Sequence, residues 1–148
     1  MKPVTREWVA KAEADFQSAA RELRRRNDPN LDIACFLAQQ SIEKYLKARL
    51  QEESVVFGKT HDLEALASQI GNTEPGLLLL KPALKRLSVY AVVFRYPGRS
   101  ATRAEAKEAL AFAKQVREIV RPALGLRLAN NRRRARPKST FDRRRKGR

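Results

Sequence analysis

The run Cys35-Phe36-Leu37-Ala38-Gln39-Gln40-Ser41-Ile42-Glu43-Lys44-Tyr45-Leu46-Lys47-Ala48 narrows the fold more than any other stretch of this 148-residue chain. Leu31, Cys35, Ala38, Ile42, Tyr45 and Leu50 recur mostly at three- or four-residue steps, which is the spacing of a buried helical stripe. Gln39, Gln40, Glu43, Lys44 and Lys47 fall largely off that stripe. On a helix Gln40 meets Glu43 and Lys44, and Glu43 meets Lys47 in the favourable acid-before-base order. The segment therefore reads as a core helix from about Leu31 to Gln51 carrying a polar strip. An ordinary solvated face is the competing reading of that strip.

The same periodicity organises the rest of the chain into about five helices. Thr5 is a candidate cap for a first helix whose Trp8, Ala12, Phe16, Ala19 and Leu23 share one face, stopped by Asn27-Asp28-Pro29-Asn30. Thr60 is a candidate cap for a third helix with His61, Leu63, Leu66 and Ile70, closed by Gly71-Asn72. Pro82 starts or kinks a fourth, with Leu84, Leu87, Ala91 and Phe94 as its apolar row and Tyr96-Pro97-Gly98 as its end. Thr102-Arg103-Ala104-Glu105 matches a capping box for a fifth, alanine-rich helix lasting until Pro122. Val89 to Phe94 is the one arguable strand, but it has no second strand to pair with and its backbone groups would stay unsatisfied. The expected fold is all-α, an up-and-down helical bundle over residues 1–126.

The formal charge of +16 is unevenly spread. From Arg127 to Arg148 there are eleven Lys or Arg against Asp142 alone, so +10 falls in the last 22 residues and +6 in the bundle. Residues 127–148 hold too little apolar surface to offset the entropy of ordering, and are expected to form a disordered basic tail. Arg132, Arg133, Arg134, Arg136, Arg143, Arg144 and Arg145 are its candidate nucleic-acid contacts, neutralising phosphates through salt-sensitive, sequence-blind attraction. A tail that only solvates the chain is the alternative.

Several chemistries are poorly supported. Cys35 is the single cysteine, so no internal disulfide forms and a reducing compartment is expected. One histidine and no cysteine cluster leave a metal site without ligands, and no glycine-rich phosphate loop follows a strand. No cofactor is expected. The longest leucine block, Leu77 to Leu80, is far short of a membrane span, and the early charges from Arg6 to Asp15 do not suit a signal peptide, so a cytoplasmic protein with no membrane contact is expected. Arg95-Tyr96-Pro97 can present a fixed cation beside a stacking ring, which is what a phosphate and a base require. Equally, Arg95 could answer the helix dipole and bridge to Glu43 while Tyr96 packs the bundle end.

In their order along the chain these segments resemble the HEPN domain family. Trp8 with Ala12, Asp15 and Ala19 is similar to the family's first helix, and Cys35 to Ala48 resembles its most recognisable stretch. Thr60-His61-Asp62-Leu63 looks like the start of its third helix, and Arg95-Tyr96-Pro97 with the helix through Ala113 looks like its end. The resemblance runs from Thr5 to Leu124. It implies a nucleotide- or RNA-binding bundle, homodimerisation through a helical face, and work beside a nucleotidyltransferase partner in a toxin-antitoxin-like pair.

Ribonuclease members of the family resemble one another through an arginine followed by four to six residues and then a histidine. Here Ser54, Val55 and Val56 occupy those positions before His61, so a non-catalytic or accessory role is the expectation. Two alternatives remain: a metal-independent ribonuclease toxin using a rearranged His61 and Arg95, and a module docking on RNA or ribosomes through its tail. The expected nucleotide site comprises Gln40, Glu43, Lys44, Lys47, His61, Arg95 and Tyr96. It requires the second and fourth helices to pack side by side near the start of the third.

Overall fold

A computed structural model describes residues 1–128, and the basic segment expected to be disordered lies almost wholly outside them. Six α-helices follow in order: α1 (Pro3–Arg24), α2 (Leu31–Glu52), α3 (Leu63–Ile70), α4 (Pro75–Leu79), α5 (Lys81–Ser88) and α6 (Arg103–Ala123). Two 3-10 turns, Gly71–Thr73 and Val89–Ala91, complete the helical content, and no strand occurs among the described residues. The helical bundle is the expected one, with six helices in place of five.

The departures have local causes. Pro3, whose fixed φ and missing N–H suit a first turn, starts α1 without a side-chain cap, and Thr5 lies fully buried within that first turn. Asp62 caps α3 by accepting from the Ala65 amide at 3.0 Å, while Thr60 accepts from the Asp62 amide at 3.1 Å. His61 consequently stands in the loop before α3 and not in its first turn. Pro75 opens a separate five-residue helix, and Pro82 sits in the first turn of α5, so the leucine block is broken between two elements. α5 stops at Ser88, whose hydroxyl donates to the Leu84 carbonyl and accepts from the Leu63 amide, both at 2.9 Å. That back-bonding competes with continued α-helix, and the chain goes on as a 3-10 turn and then irregularly to Phe94. Leu84, Leu87, Ala91 and Phe94 are all buried nonetheless. α6 runs one residue beyond Pro122.

α2 is the central rod. It packs against α1, α6, α3 and the second 3-10 turn, while α5 packs on α3. The arrangement differs from the expected pairing of second and fourth helices, since only the 3-10 end of that segment is a principal contact of α2. Ile42, Tyr45, Leu46 and Leu50 are almost wholly buried, and small residues let the neighbours close in: Ala12, Ala38, Ala109 and Ala113 are fully covered. The Ser41 hydroxyl donates to the Ala12 carbonyl at 2.9 Å, a contact available only where α1 and α2 approach closely. On the other side, a Cβ on Gly76 would meet Ile119 at 3.1 Å, so that glycine sets how near α4 lies to α6.

A polar knot ties α1, α2 and α6. Arg117 donates to both Glu13 oxygens at 2.7 and 2.8 Å, the Tyr45 hydroxyl donates to the same carboxylate, and Arg121 reaches the Tyr45 oxygen at 3.4 Å. Burial pushes the Glu13 carboxyl up, but hydrogen bonds from Arg117, Tyr45 and Gln17 outweigh it and hold the group at about 2 against an ordinary 4.5. Burial, then the adjacent carboxylate, pushes the Tyr45 phenol up to about 12.

Because the folded group titrates below the unfolded one, its stabilisation is present above the unfolded value and fades as acid is added. Glu13→Gln is therefore expected to cost about 1–2 kcal/mol at pH 7, after allowing for solvent screening of a partly exposed carboxylate. The difference from wild type should shrink as pH falls from 4.5 to about 2. Urea midpoints across that range check this, and a pH-independent difference would contradict it.

Candidate functional site

The polar strip of α2 is largely buried. Phe36, Gln40, Glu43 and Lys47 follow one another at four, three and four residues, hence on one face. Glu43, at 3% exposure, is the hub of that face. One carboxylate oxygen accepts from Lys47 Nζ at 2.7 Å; the other meets His61 Nδ1 at 2.8 Å, Gln39 Nε2 at 3.2 Å and Gln40 Nε2 at 3.4 Å. Burial raises the Glu43 carboxyl, but the bonds from Lys47, His61 and Gln39 outweigh it and hold it below the usual range. The group is thus an ionised acceptor at neutral pH.

That ionisation fixes the imidazole. A carboxylate can only accept, so Nδ1 carries the hydrogen of the neutral ring and Nε2 keeps its lone pair. The His61 side chain is 64% exposed, whereas that of Glu43 is 5% exposed, so the pair spans from interior to surface. Lys47 is held more tightly still. Its ammonium lies 5.6 Å from the Trp8 ring centre and 6.0 Å from that of Phe57, and those rings meet edge to face at 6.1 Å.

The remaining expected residues divide. Gln40, Glu43, Lys47 and His61 join one hydrogen-bonded cluster. Lys44 turns toward α1 and pairs with Asp15. The Arg95 guanidinium sits 5.2 Å from the Phe36 ring centre, two helical turns before Glu43, or about 10 Å along the axis. It forms no ion pair among the described residues, and the Glu43 oxygens are occupied by other donors. Tyr96, at 61% exposure, does not pack the bundle end. The seven tail arginines lie outside the described residues.

Trp8, Phe57, Phe36 and Gln39 belong to this face and were not among the expected site residues. Phe36 precedes Gln40 by one turn, a signal available in the sequence. Phe57 lies in a loop with no periodicity to mark it, and Trp8 reads there as part of an apolar stripe. Among the described residues no cluster of three or more His, Cys, Asp or Glu is placed to hold a metal ion, and no helix is long and apolar enough to cross a membrane.

An all-α bundle whose central helix buries a carboxylate against a surface histidine is the class that fold and site define. The HEPN domain model matches residues 5–123, and the chain belongs to the HEPN domain family. Among solved structures, the crystal structure of TT1696 from Thermus thermophilus is similar, with a TM-score of 0.66 and 26% identity, covering 78% of this chain and 94% of that one. No curated protein matches the chain.

Removing one partner from the Glu43–Lys47 pair strands a buried charge. Glu43→Ala is expected to destabilise the fold by about 3 kcal/mol or more, and a double Glu43→Leu, Lys47→Met replacement by clearly less. Urea denaturation of the three chains decides it; a single variant within about 1 kcal/mol of wild type would remove the ion pair from its structural role.

Proposed function

We propose that this HEPN domain is an accessory nucleotide- or RNA-binding component, with ligand phosphate received between the free face of His61 and the Arg95 guanidinium. The observation that carries the reading is a division among the cations on and beside α2. Lys47 and Lys44 are committed to internal acids, whereas Arg95 has no acidic partner among the described residues and rests on Phe36. Arginine presents a planar, multiply donating cation suited to phosphate, Tyr96 offers an exposed ring for a base, and Gln40 stands one turn from Phe36 on the same face of α2. A homodimer, a nucleotidyltransferase partner and a toxin-antitoxin-like setting belong to this reading through the family alone.

Calorimetry with ATP, GTP and a short RNA tests the assignment. Arg95→Ala and His61→Ala are each expected to weaken whichever ligand binds by about tenfold, roughly 1.4 kcal/mol, with Lys44→Ala near wild type. Equal binding by all three variants would leave the site without support.

A second reading draws on the Glu43–His61 pair, because a histidine oriented by a buried carboxylate is also the arrangement a general base needs. It makes the protein a metal-independent ribonuclease. RNA cleavage by wild type that disappears in His61→Ala would replace the accessory reading with this one.

For the basic segment the expectation is attraction to nucleic acid by charge alone. A chain ending at Leu128 keeps the Arg121 guanidinium bonds to the Arg127 carbonyl at 3.0 and 3.1 Å. It should melt like the full chain yet show a much shallower dependence of RNA affinity on salt, because fewer counterions are released. An unchanged salt slope would refute the role of the tail.

A further inference from the structure

A groove of about 680 Å³ runs between α1 and α6 and shares no residue with the Glu43 face. Its floor is mainly apolar, with Phe16, Ala20 and Leu23 from α1 and Leu110 from α6; Gln17 and exposed Ala111 also line it. Its rims are mainly cationic, with Glu118 the one acid of the lining. Arg24 and Lys107 are exposed and form no ion pair among the described residues, and exposed Lys114 has only a 3.9 Å contact with Glu118. Arg117, by contrast, is stacked 5.1 Å from the Phe16 ring centre and held twice by Glu13, so its charge is already answered within the fold. From Lys107 to Glu118 the groove follows α6 for about 16 Å, three helical turns.

Apolar floor and basic rims together specify what can lie there. We infer that the groove is a docking site for an amphipathic helix of a protein partner, with an apolar stripe facing Phe16 and Leu110 and acidic residues flanking it. Such a helix-in-groove contact draws affinity from the buried stripe and orientation from the flanking charges. A second copy of this chain presenting the same patch would set cationic rim against cationic rim. The segment after Leu128, which stands at the lip of the groove, carries the same sign as the rims. RNA could answer the rims with its phosphates but has no apolar stripe to cover Phe16, Leu23 and Leu110.

The test uses the full chain and two synthetic 15-residue helices with the same leucine stripe, one flanked by glutamates and one by lysines, followed by fluorescence anisotropy. The glutamate peptide should bind at micromolar concentration and the lysine peptide at least tenfold more weakly. Lys107→Glu with Lys114→Glu should reverse that preference, with the basic tail left intact. Ala111→Trp, at an exposed helical position lining the groove, should obstruct it and weaken the glutamate peptide at least tenfold, with circular dichroism verifying that the variant folds. Equal binding of the two peptides, or glutamate-peptide binding untouched by the double reversal, would overturn the proposal, the latter by assigning the attraction to the tail. So would wild-type self-association that Ala111→Trp abolishes, or affinity for a 12-nucleotide RNA that falls with the double reversal as far as the peptide's does.

Discussion

A carboxylate buried to 3% exposure is tolerable only if every donor around it is in place, and Glu43 makes that demand on three separate parts of the chain. Lys47 answers from the next turn of α2, His61 from the loop before α3, and the two glutamines from the preceding turn. Trp8 of α1 and Phe57 of the α2–α3 loop then close over the ammonium. The cluster thus sets where α3 begins relative to α2, because the His61 loop must reach the carboxylate before Asp62 can cap the helix.

The same logic operates on another face of α2, where Tyr45 and the Glu13–Arg117 pair bind α1 to α6. α2 therefore runs between two polar knots set in an otherwise apolar core. The Glu13 knot couples helices distant in sequence, the Glu43 cluster couples α2 to the loop that follows it, and each uses an acid as the shared acceptor. Apolar stripes with many alanines slide easily, since one small residue substitutes for another along the interface. Directional bonds at Glu13, Ser41 and Glu43 select one register.

Helix number and faces were legible wherever a long apolar period existed, as in α1, α2 and α6. Short elements were legible only through punctuation, and there the reading erred: Thr60 and Asp62 are both competent caps, and local sequence does not rank them. Their ranking follows from His61 needing to face Glu43, a long-range requirement. Ser88 is another case. An isolated serine in an apolar row carries no warning that its hydroxyl will serve both the Leu84 carbonyl and the Leu63 amide and end α5. At the site, spacing on α2 brought out Gln40, Glu43 and Lys47 as neighbours but could not separate Lys44, whose direction depends on where Asp15 of α1 comes to rest.

Family membership places the histidine in context without assigning its task. The turn preceding His61, where ribonuclease members resemble one another through an arginine, is here Ser54, Val55 and Val56. The Ser54 hydroxyl is engaged by Lys2, and Val56 is 88% exposed. No cation is available from that turn. Lys47 cannot stand in without abandoning both Glu43 and its two aromatic rings. Arg95, stacked on Phe36 two turns before Glu43, is an uncommitted positive charge on this face, carried by an irregular segment free of helical constraint. A ligand engaging both imidazole and guanidinium would accordingly reach along the two turns of α2 that separate Phe36 from Glu43, which suits an extended phosphate chain or adjacent nucleotides better than one isolated phosphoryl group.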